Sequence, residues 1–340
     1  MGKIQILDCT LRDGGYVNNW TYGKDAIVGI TKGLEEAGVD IIELGFLRNE
    51  SKNENRTAFA TIEDVNTLIK NRKTNTIYAA MVEAFNPYDL EHLTPYKEGG
   101  IDIIRVCIWK RFMDEHLVYA RKIVDKGYAI SIQPSRVEQY SKEEFIELIK
   151  RSNNLHPYAF YIVDTWGTQS SKQICEYAEL AEKYLDKDIR IGYHGHNNKM
   201  QALACAQSFV SMGLFHDLCI DSSVHGMGRG AGNLYTEIIM DYLNEVYGAN
   251  YNCNKIVEVY NKYVRQFFEK EPWGYSFYYY LSARYGVNPN YPTYFRDMSY
   301  PEEMFEAFLK SLSEQEKIVC SKEAIEAKLV ELKLKKDESI

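Results

Sequence analysis

The sequence predicts an α/β protein, a closed (β/α)8 barrel (a TIM barrel) followed by a small C-terminal helical domain. Two observations support this fold class. Apolar runs rich in β-branched residues recur about every 30 residues, the length of one βαβ unit; they begin near residues 3, 39, 76, 101, 128, 159, 188 and 217. Their apolar character is continuous, which is typical of strands buried on both faces of a parallel sheet. An open doubly wound sheet is the alternative, but it rarely contains eight such even units.

Amphipathic helical patterns separate the apolar runs. The segment KDAIVGITKGLEEAG places Ile27, Ile30 and Leu34 on one face and ends at a glycine. The segment SKEEFIELIKRSN begins with Ser141 and carries Glu144 three residues later, a capping box that marks a helix N-terminus. Eight alternations of strand and helix favour the closed barrel.

The pattern changes near residue 250, where helical segments follow one another without strands between them. We therefore expect a catalytic barrel over residues 1–249 and a helical domain over residues 250–340. The tail also contains the aromatic stretch WGYSFYYYLSARYGVNPNYPTYF. Because aromatic residues are enriched at protein interfaces, this stretch predicts a homo-oligomer, most simply a homodimer.

The composition is that of an ordinary globular protein, with 45% apolar and 26% charged residues. The net charge of −8 argues against a nucleic-acid partner. No run approaches the length of a membrane span, and Asp8, Arg12 and Asp13 interrupt any signal-like apolar segment, so we expect a cytoplasmic protein. Seven scattered cysteines without a CxxC pair argue against a disulfide framework or a thiolate zinc site.

Polar residues occur where the predicted strands end, which is where barrel enzymes carry their reactive groups. Arg12 and Asp13 follow the first strand, and Glu43 lies in the second. The other strand ends carry Lys110, Arg111, Gln133, Ser135, Asp164, Thr165, His194, His196 and His225. Taken alone, Arg12 and Asp13 are as consistent with solvated loop residues as with a paired site.

The pair His194 and His196 is the sharpest local signal. Residues i and i+2 of a strand point to the same face, so both imidazoles can converge on one point. With Asp13 from across the barrel, they would leave open positions on a divalent metal ion. The glycine-rich turn at residues 225–233 is weaker evidence, because such turns are more often tight connections than binding sites.

Four motifs, LDCTLRDGGY, IIELGF, GYHGHNN and GMGRGAGNLYTE, together resemble the DRE-TIM metallolyase superfamily over residues 4–237. The resemblance implies that Asp13, His194 and His196 bind Mn²⁺ or Mg²⁺. Asn233 matches an asparagine that ligates the metal ion in some members. No cofactor beyond the metal ion is implied.

The resemblance also implies a reaction. Arg12 would stabilise the enolate oxygen formed during C–C cleavage, and Glu43 would orient Arg12, which agrees with the need to neutralise developing negative charge. The predicted function is a divalent-metal-dependent aldolase that joins or cleaves a 2-keto acid, through a pyruvate-type enolate, and an aldehyde. An aldehyde dehydrogenase is a weakly implied partner.

One departure from the family pattern concerns the general base. Aldolases of this superfamily carry a histidine three residues after the metal-binding aspartate, and this chain has Tyr16 there. The stretch around Tyr275 resembles a family segment whose tyrosine reaches the active site, although Tyr275 is equally consistent with an aromatic interface. Tyr16, Tyr275 and His225, in that order, are the candidate bases.

Two further functions remain open at this point. One is a Claisen-type synthase or lyase acting on an acyl-CoA with the same metal barrel; the other is a binding subunit that has lost its chemistry. A separate hypothesis concerns four basic residues near the strand ends, which would either bind a remote anionic group of the substrate, such as phosphate, or be solvated loop charges: Lys110, Arg111, Arg136 and Arg229.

Overall fold

The computed structural model describes residues 2–70, 72, 75–83 and 86–332. Eight parallel strands form the barrel: β1 Ile4–Asp8, β2 Ile41–Leu47, β3 Ile77–Val82, β4 Ile103–Ile108, β5 Ala129–Pro134, β6 Ala159–Asp164, β7 Arg190–Gly195 and β8 Leu218–Ser222. The barrel is closed because β1 pairs with β2 on one side and with β8 on the other. Each strand begins within two residues of its predicted start. The closed (β/α)8 barrel is therefore confirmed.

Helices surround the strands. They are α1 Lys24–Ala37, α2 Ile62–Asn66, α3 Met113–Val124, α4 Lys142–Asn153, α5 Ser171–Tyr184, α6 Ala202–Ser211 and α7 Thr236–Tyr247, with a single turn at Gly15–Asn18. The glycine end of α1 is confirmed, since Gly38 has a φ of +82°. The capping box is also confirmed, since Ser141 and Glu144 bond reciprocally at the start of α4.

One predicted helix differs. Between β3 and β4 the described residues contain only the 3₁₀ turn Leu90–His92, so the expectation of an α-helix after every strand is wrong here. The connection contains Pro87, Pro95 and the pair Gly99 and Gly100. Proline and glycine both disfavour a helix interior, which accounts for the irregular path.

The C-terminal region is helical, as predicted. Its elements are α8 Cys253–Val259, α9 Arg265–Lys270, α10 Phe277–Tyr285, α11 Asn290–Asp297, α12 Glu302–Lys310, α13 Glu314–Ile318 and α14 Lys322–Glu331, with a π-helical turn joining α8 to α9. Ile256 and Val259 pack into the core of the barrel, whereas Phe295, Phe305 and Ile325 belong to a separate apolar cluster. The domain boundary at residues 249 and 250 stays a prediction, and residues 333–340 lie outside the described ranges. None of the described helices has the length and apolar composition needed to cross a membrane.

A bulge in β2 positions two side chains of the site. The pairing of β2 with β3 shifts register between Glu43 and Phe46. The extra residue is Gly45, whose φ is +151°, and a methyl group added to it would lie 2.0 Å from the carbonyl oxygen of Thr57. Because a bulge resets the alternation of side chains, Glu43 lies inside the barrel and Phe46 also reaches the cavity described below.

We expect Gly45→Ala to lower the free energy of unfolding by about 3 kcal/mol or more, since it adds backbone strain and a clash with a backbone oxygen. Gly248→Ala is the matched control, because Gly248 also has a positive φ but has no atom within 4 Å of the added methyl group. That control should cost about 1 kcal/mol. Urea unfolding of both variants measures the difference; equal losses would contradict the role given to the bulge.

Candidate active site and metal centre

A chain of buried ion pairs crosses the interior of the barrel. Arg105 of β4 donates to Glu43 at 2.7 Å and also to Asp221 of β8. Glu43 accepts a second bond from Nε of Arg12 at 2.8 Å, and Asp221 contacts Nδ1 of His194 at 2.9 Å. All five residues are buried. Positive and negative groups alternate along the chain, so each buried charge has an opposite neighbour.

Asp13, His194 and His196 converge at the carboxyl end of the barrel. One ligand atom from each lies within 4.8 Å of the others. His194 is held through Nδ1 by Asp221, and Nδ1 of His196 lies 3.2 Å from the carbonyl oxygen of Asp164. The Nε2 atom of each imidazole is therefore available to bind a metal ion. Nε2 of His196 lies 3.4 Å from a carboxylate oxygen of Asp13. Histidine ligands oriented through their second nitrogen are typical of metal sites.

Asn233 supplies a further observation about this point. Its Nδ2 donates to Asp13 at 2.8 Å and to the carbonyl oxygen of Met227 at 3.1 Å. Its Oδ1 is buried and has no hydrogen-bond partner. A buried acceptor without a partner is unfavourable, and a cation beside Asp13 would satisfy it. The donor set of one carboxylate, two imidazoles and an amide fits a divalent metal ion.

The protonation states also suit metal binding. Burial raises the pKa of Asp13, but the charge of Arg12 and the hydrogen bond from His196 outweigh it and hold the pKa well below its usual range. Burial lowers the pKa of His194, although Asp221 partly offsets this effect. An ionised carboxylate beside a neutral imidazole is the form that metal ions bind.

A cavity of about 300 Å³ opens above these residues. Its walls come mainly from strand ends and the loops after them: Arg12, Asp13, Tyr16, Phe46, Met81, Glu83, Cys107, Trp109, Gln133, Ser135, Val163, Thr165, His194, His196, Arg229 and Asn288. Asn288 belongs to the C-terminal region, so that region contributes to the wall. The cavity is the size of a small-molecule site.

The sequence-predicted residues divide into two groups. Those brought together at the cavity or directly behind it are Arg12, Asp13, Tyr16, Glu43, His194, His196 and Asn233. Tyr275 is 51% exposed and packs against Phe277, with ring centroids 6.1 Å apart. His225 lies among aromatic rings, with Tyr260 at 4.4 Å. The residues that line the cavity include neither Tyr275 nor His225, whose proposed roles stay predictions.

Tyr16 lies at the rim, 39% exposed, with its ring 5.4 Å from the guanidinium of Arg229. Desolvation inside the cavity raises the pKa of Tyr16 to about 12, although Arg229 acts in the opposite direction. A phenol with this pKa stays protonated at neutral pH. Tyr16 is therefore a weaker acid than an ordinary tyrosine: it can give its proton only to a strongly basic atom, and it does not act as a base while it holds that proton.

Of the four basic residues near the strand ends, one lines the cavity. Lys110 pairs with Glu144 at 2.6 Å, and Arg136 pairs with Glu138 at 2.8 Å. Arg111 lies over the ring of Phe112. Only Arg229 of the four is part of the cavity wall.

Sequence reasoning did not assign roles to Arg105, Asp221 or Gln133. The signal for the first two is a charged residue inside an apolar strand, in IIRVCI and LCIDSS. Charges are rarely buried unless they are paired. Gln133 is 3% exposed, lines the cavity, and has an Nε2 without a hydrogen-bond partner. A donor left in this state at a cavity wall is suited to bind an oxygen atom of a ligand.

One carboxylate and two imidazoles meet at the strand ends of this barrel. The protein is therefore of the class of TIM barrels with a candidate divalent-metal site. The chain belongs within this class to the HMGL-like family, the DRE-TIM metallolyases, whose model matches residues 3–262.

The chain is similar to named proteins at about one quarter sequence identity. The chain is 25% identical over 243 residues to oxaloacetate decarboxylase of Mycobacterium tuberculosis, covering 69% of this chain and 68% of the relative. It is 26% identical over 244 residues to 4-hydroxy-2-oxovalerate aldolase 1 of Dechloromonas aromatica, covering 70% and 69%. The N-terminal domain of a candidate aldolase from Bacteroides vulgatus superposes with a TM-score of 0.74 at 25% identity, over 91% of this chain and all of that domain. These matches agree with membership of the HMGL-like family.

We expect Arg105→Met to lower the free energy of unfolding by about 3–5 kcal/mol, because it leaves Glu43 and Asp221 as buried carboxylates without their shared cation. Lys172→Met is the control, since its ion pair with Glu176 is exposed and should contribute less than about 1 kcal/mol. Urea unfolding measures both. A loss for Arg105→Met as small as that of the control would show that the buried network does not stabilise the barrel.

Proposed function

We propose that the protein is a divalent-metal-dependent aldolase that cleaves or forms a carbon–carbon bond between a 2-keto acid and an aldehyde. One observation carries the proposal. The Arg12 guanidinium donates to Asp13 and so lies directly beside the Asp13, His194 and His196 group, on the wall of a cavity of about 300 Å³. A cation and a metal site side by side suit a reaction that builds negative charge on one oxygen.

Asp13, His194, His196 and Asn233 would hold the metal ion, which acts when bound as a Lewis acid toward the keto group of the substrate. Arg12 donates hydrogen bonds to the oxygen on which charge accumulates. Glu43 is a positioning residue, because it fixes Nε of Arg12 at 2.8 Å and does not line the cavity.

In the cleavage direction, a base removes the proton of the hydroxyl group at C4. The C3–C4 bond breaks, the aldehyde leaves, and the bonding electron pair moves onto the keto oxygen beside Arg12. Protonation of C3 then gives the 2-keto acid. Tyr16 is suited to this last step, since its pKa of about 12 keeps the phenol protonated.

The base of the first step is a different group. Among the described side chains of the cavity wall, Glu83 is the carboxylate outside the candidate metal site, and it is ion-paired with Arg48 at 2.6 Å. Burial raises the pKa of the other candidate, the Cys107 thiol. We assign the base role to Glu83, because its carboxylate lies on the cavity wall, outside the candidate metal site.

We expect the protein to bind Mn²⁺ and, with the metal ion present, to exchange the methyl protons of pyruvate for deuterium in D₂O. Asp13→Ala and His194→Ala should lose both properties, because each removes a ligand. His92→Ala, a change at an exposed histidine outside the cavity, should retain both. Calorimetry measures Mn²⁺ binding and NMR measures the exchange.

The outcomes separate the alternatives. Metal binding without pyruvate exchange would contradict the pyruvate-type enolate and favour another donor, such as an acyl-CoA. Absence of metal binding in the wild-type protein would favour a binding subunit without chemistry.

Decarboxylation of a 2-keto acid is the second candidate. It requires no general base, because loss of CO₂ from C3 breaks the bond without prior removal of a proton. The electron pair again moves onto the keto oxygen, and Tyr16 can again protonate C3. The relative from Mycobacterium tuberculosis bears the name of such an enzyme.

A comparison of aldol and 3-carboxy substrates distinguishes these reactions. If the protein is an aldolase, it should cleave 4-hydroxy-2-oxopentanoate or its analogue with a terminal carboxylate, 4-hydroxy-2-oxoglutarate, and Glu83→Gln should lower kcat by about 100-fold or more, since general base catalysis contributes that much. Oxaloacetate decarboxylation should be unaffected by Glu83→Gln if it occurs. Pyruvate release, followed by NMR, measures both reactions, and His194→Ala with free Mn²⁺ corrects for decarboxylation by the metal ion alone. Turnover of oxaloacetate alone would replace the aldolase by the decarboxylase.

A further inference from the structure

We propose that Arg229 binds a carboxylate at the remote end of the substrate, so that the protein acts on 2-keto acids with a second, terminal carboxylate. The inference rests on the proposed function, because the 2-keto acid group of the same molecule would occupy the candidate metal site. The inference adds the chemical class of the group at the other end of the substrate, a carboxylate. The distinguishing observation is the charge balance of the cavity wall.

Each other charged group of the wall has a charged partner. Arg12 contacts both Asp13 and Glu43, and Glu83 is paired with Arg48. Arg229 forms no ion pair with any acidic residue in the described ranges. A partly buried charge without a counterion is unfavourable, and an anionic ligand would remove this cost.

The surroundings of Arg229 hold it in place without neutralising it. Its guanidinium lies over the ring of Tyr16 at 5.4 Å and donates a hydrogen bond to the side-chain oxygen of Asn290 at the start of α11. Neither of these two partners carries a negative charge. Arg229 stands between Gly228 and Gly230, and a methyl group on Gly228 would lie 3.0 Å from the carboxylate of Asp13. The loop therefore passes close to the candidate metal site and presents the guanidinium beside it.

The charge of the cavity wall favours a carboxylate over a phosphate as the group that Arg229 binds. Lys110, Arg111 and Arg136, the other basic residues considered near the strand ends, do not line the cavity. A single guanidinium matches one carboxylate through its planar pair of donors. The single positive charge of Arg229 balances one carboxylate, but it would leave a phosphate dianion with one uncompensated negative charge.

Two ligands of equal chain length test the proposal without turnover. 2-Oxoglutarate ends in a carboxylate, and 2-oxopentanoate ends in a methyl group. With Mn²⁺-loaded protein, calorimetry should give a Kd at least about tenfold lower for 2-oxoglutarate, the effect of one charge-assisted hydrogen-bonded pair. Arg229→Gln should remove this preference and leave the Kd of 2-oxopentanoate unchanged.

Two control variants separate a ligand-binding role from a structural one. Arg229→Lys keeps the charge and should retain part of the preference. Arg111→Gln removes an exposed charge from the same end of the barrel and should retain all of it. Thermal unfolding of each variant checks that the fold is intact.

Three results would overturn the assignment. They are equal Kd values for the two acids in the wild-type protein, an equal weakening of both by Arg229→Gln, and loss of the preference in Arg111→Gln. In each of these cases 2-oxopentanoate still binds, so the proposed function stands. If neither acid binds the Mn²⁺-loaded protein, the proposed function fails together with the assignment of Arg229.

Discussion

The shared contact of Arg105 with Glu43 and Asp221 is the interaction on which the site depends. Burial of two carboxylates in the middle of a barrel is costly unless a cation lies between them. Arg105 of β4 supplies that cation from the opposite side of the barrel. Each carboxylate also contacts a second side chain: Glu43 accepts a hydrogen bond from Arg12, and Asp221 contacts His194. These second contacts orient Arg12 and His194. The buried guanidinium of Arg105 thus fixes, through Glu43 and Asp221, both the Arg12 guanidinium and the candidate metal ligand His194.

This arrangement explains why the candidate site is built on strands. Glu43, Arg105, His194 and Asp221 all lie within strands, so their backbone positions are set by the parallel ladder of the barrel. A site held by a rigid scaffold and by second hydrogen bonds keeps its geometry without waiting for a ligand. The bulge at Gly45 serves the same end, because it turns Glu43 and Phe46 toward the interior from one strand.

The sequence alone predicts the barrel well, because the signal is local and repeated. Apolar runs and their spacing locate the strands, and a capping box locates the start of α4. The helix expected between β3 and β4 is absent from the described residues because prolines and glycines interrupt that segment. The triad of Asp13, His194 and His196 can also be predicted, because the two histidines are two residues apart and all three residues lie near the ends of predicted strands.

The parts of the site that could not be predicted depend on long-range contacts. The pairing of Arg105 with Asp221 joins residues 116 positions apart, and no local pattern indicates it. Strand order alone would place Lys110 and Arg136 at the site. Their side chains instead form ion pairs with Glu144 and Glu138 and do not line the cavity.

The two ends of the cavity have different origins, and this bears on what the family can share. The candidate metal end consists of residues in the strands or in the loops directly after them, and buried ion pairs join these residues, so a change in one partner leaves an unpaired charge. The distal end consists of loop and C-terminal residues, among them Tyr16, Arg229 and Asn288. Such residues can vary without cost to the barrel core. Members of one family can therefore keep the candidate metal end and differ at the distal end, and the relatives at 25–26% identity bear the names of two different enzymes. Our proposal for the substrate class therefore rests on the unpaired charge of Arg229, a feature of this chain itself, and not on the names of its relatives.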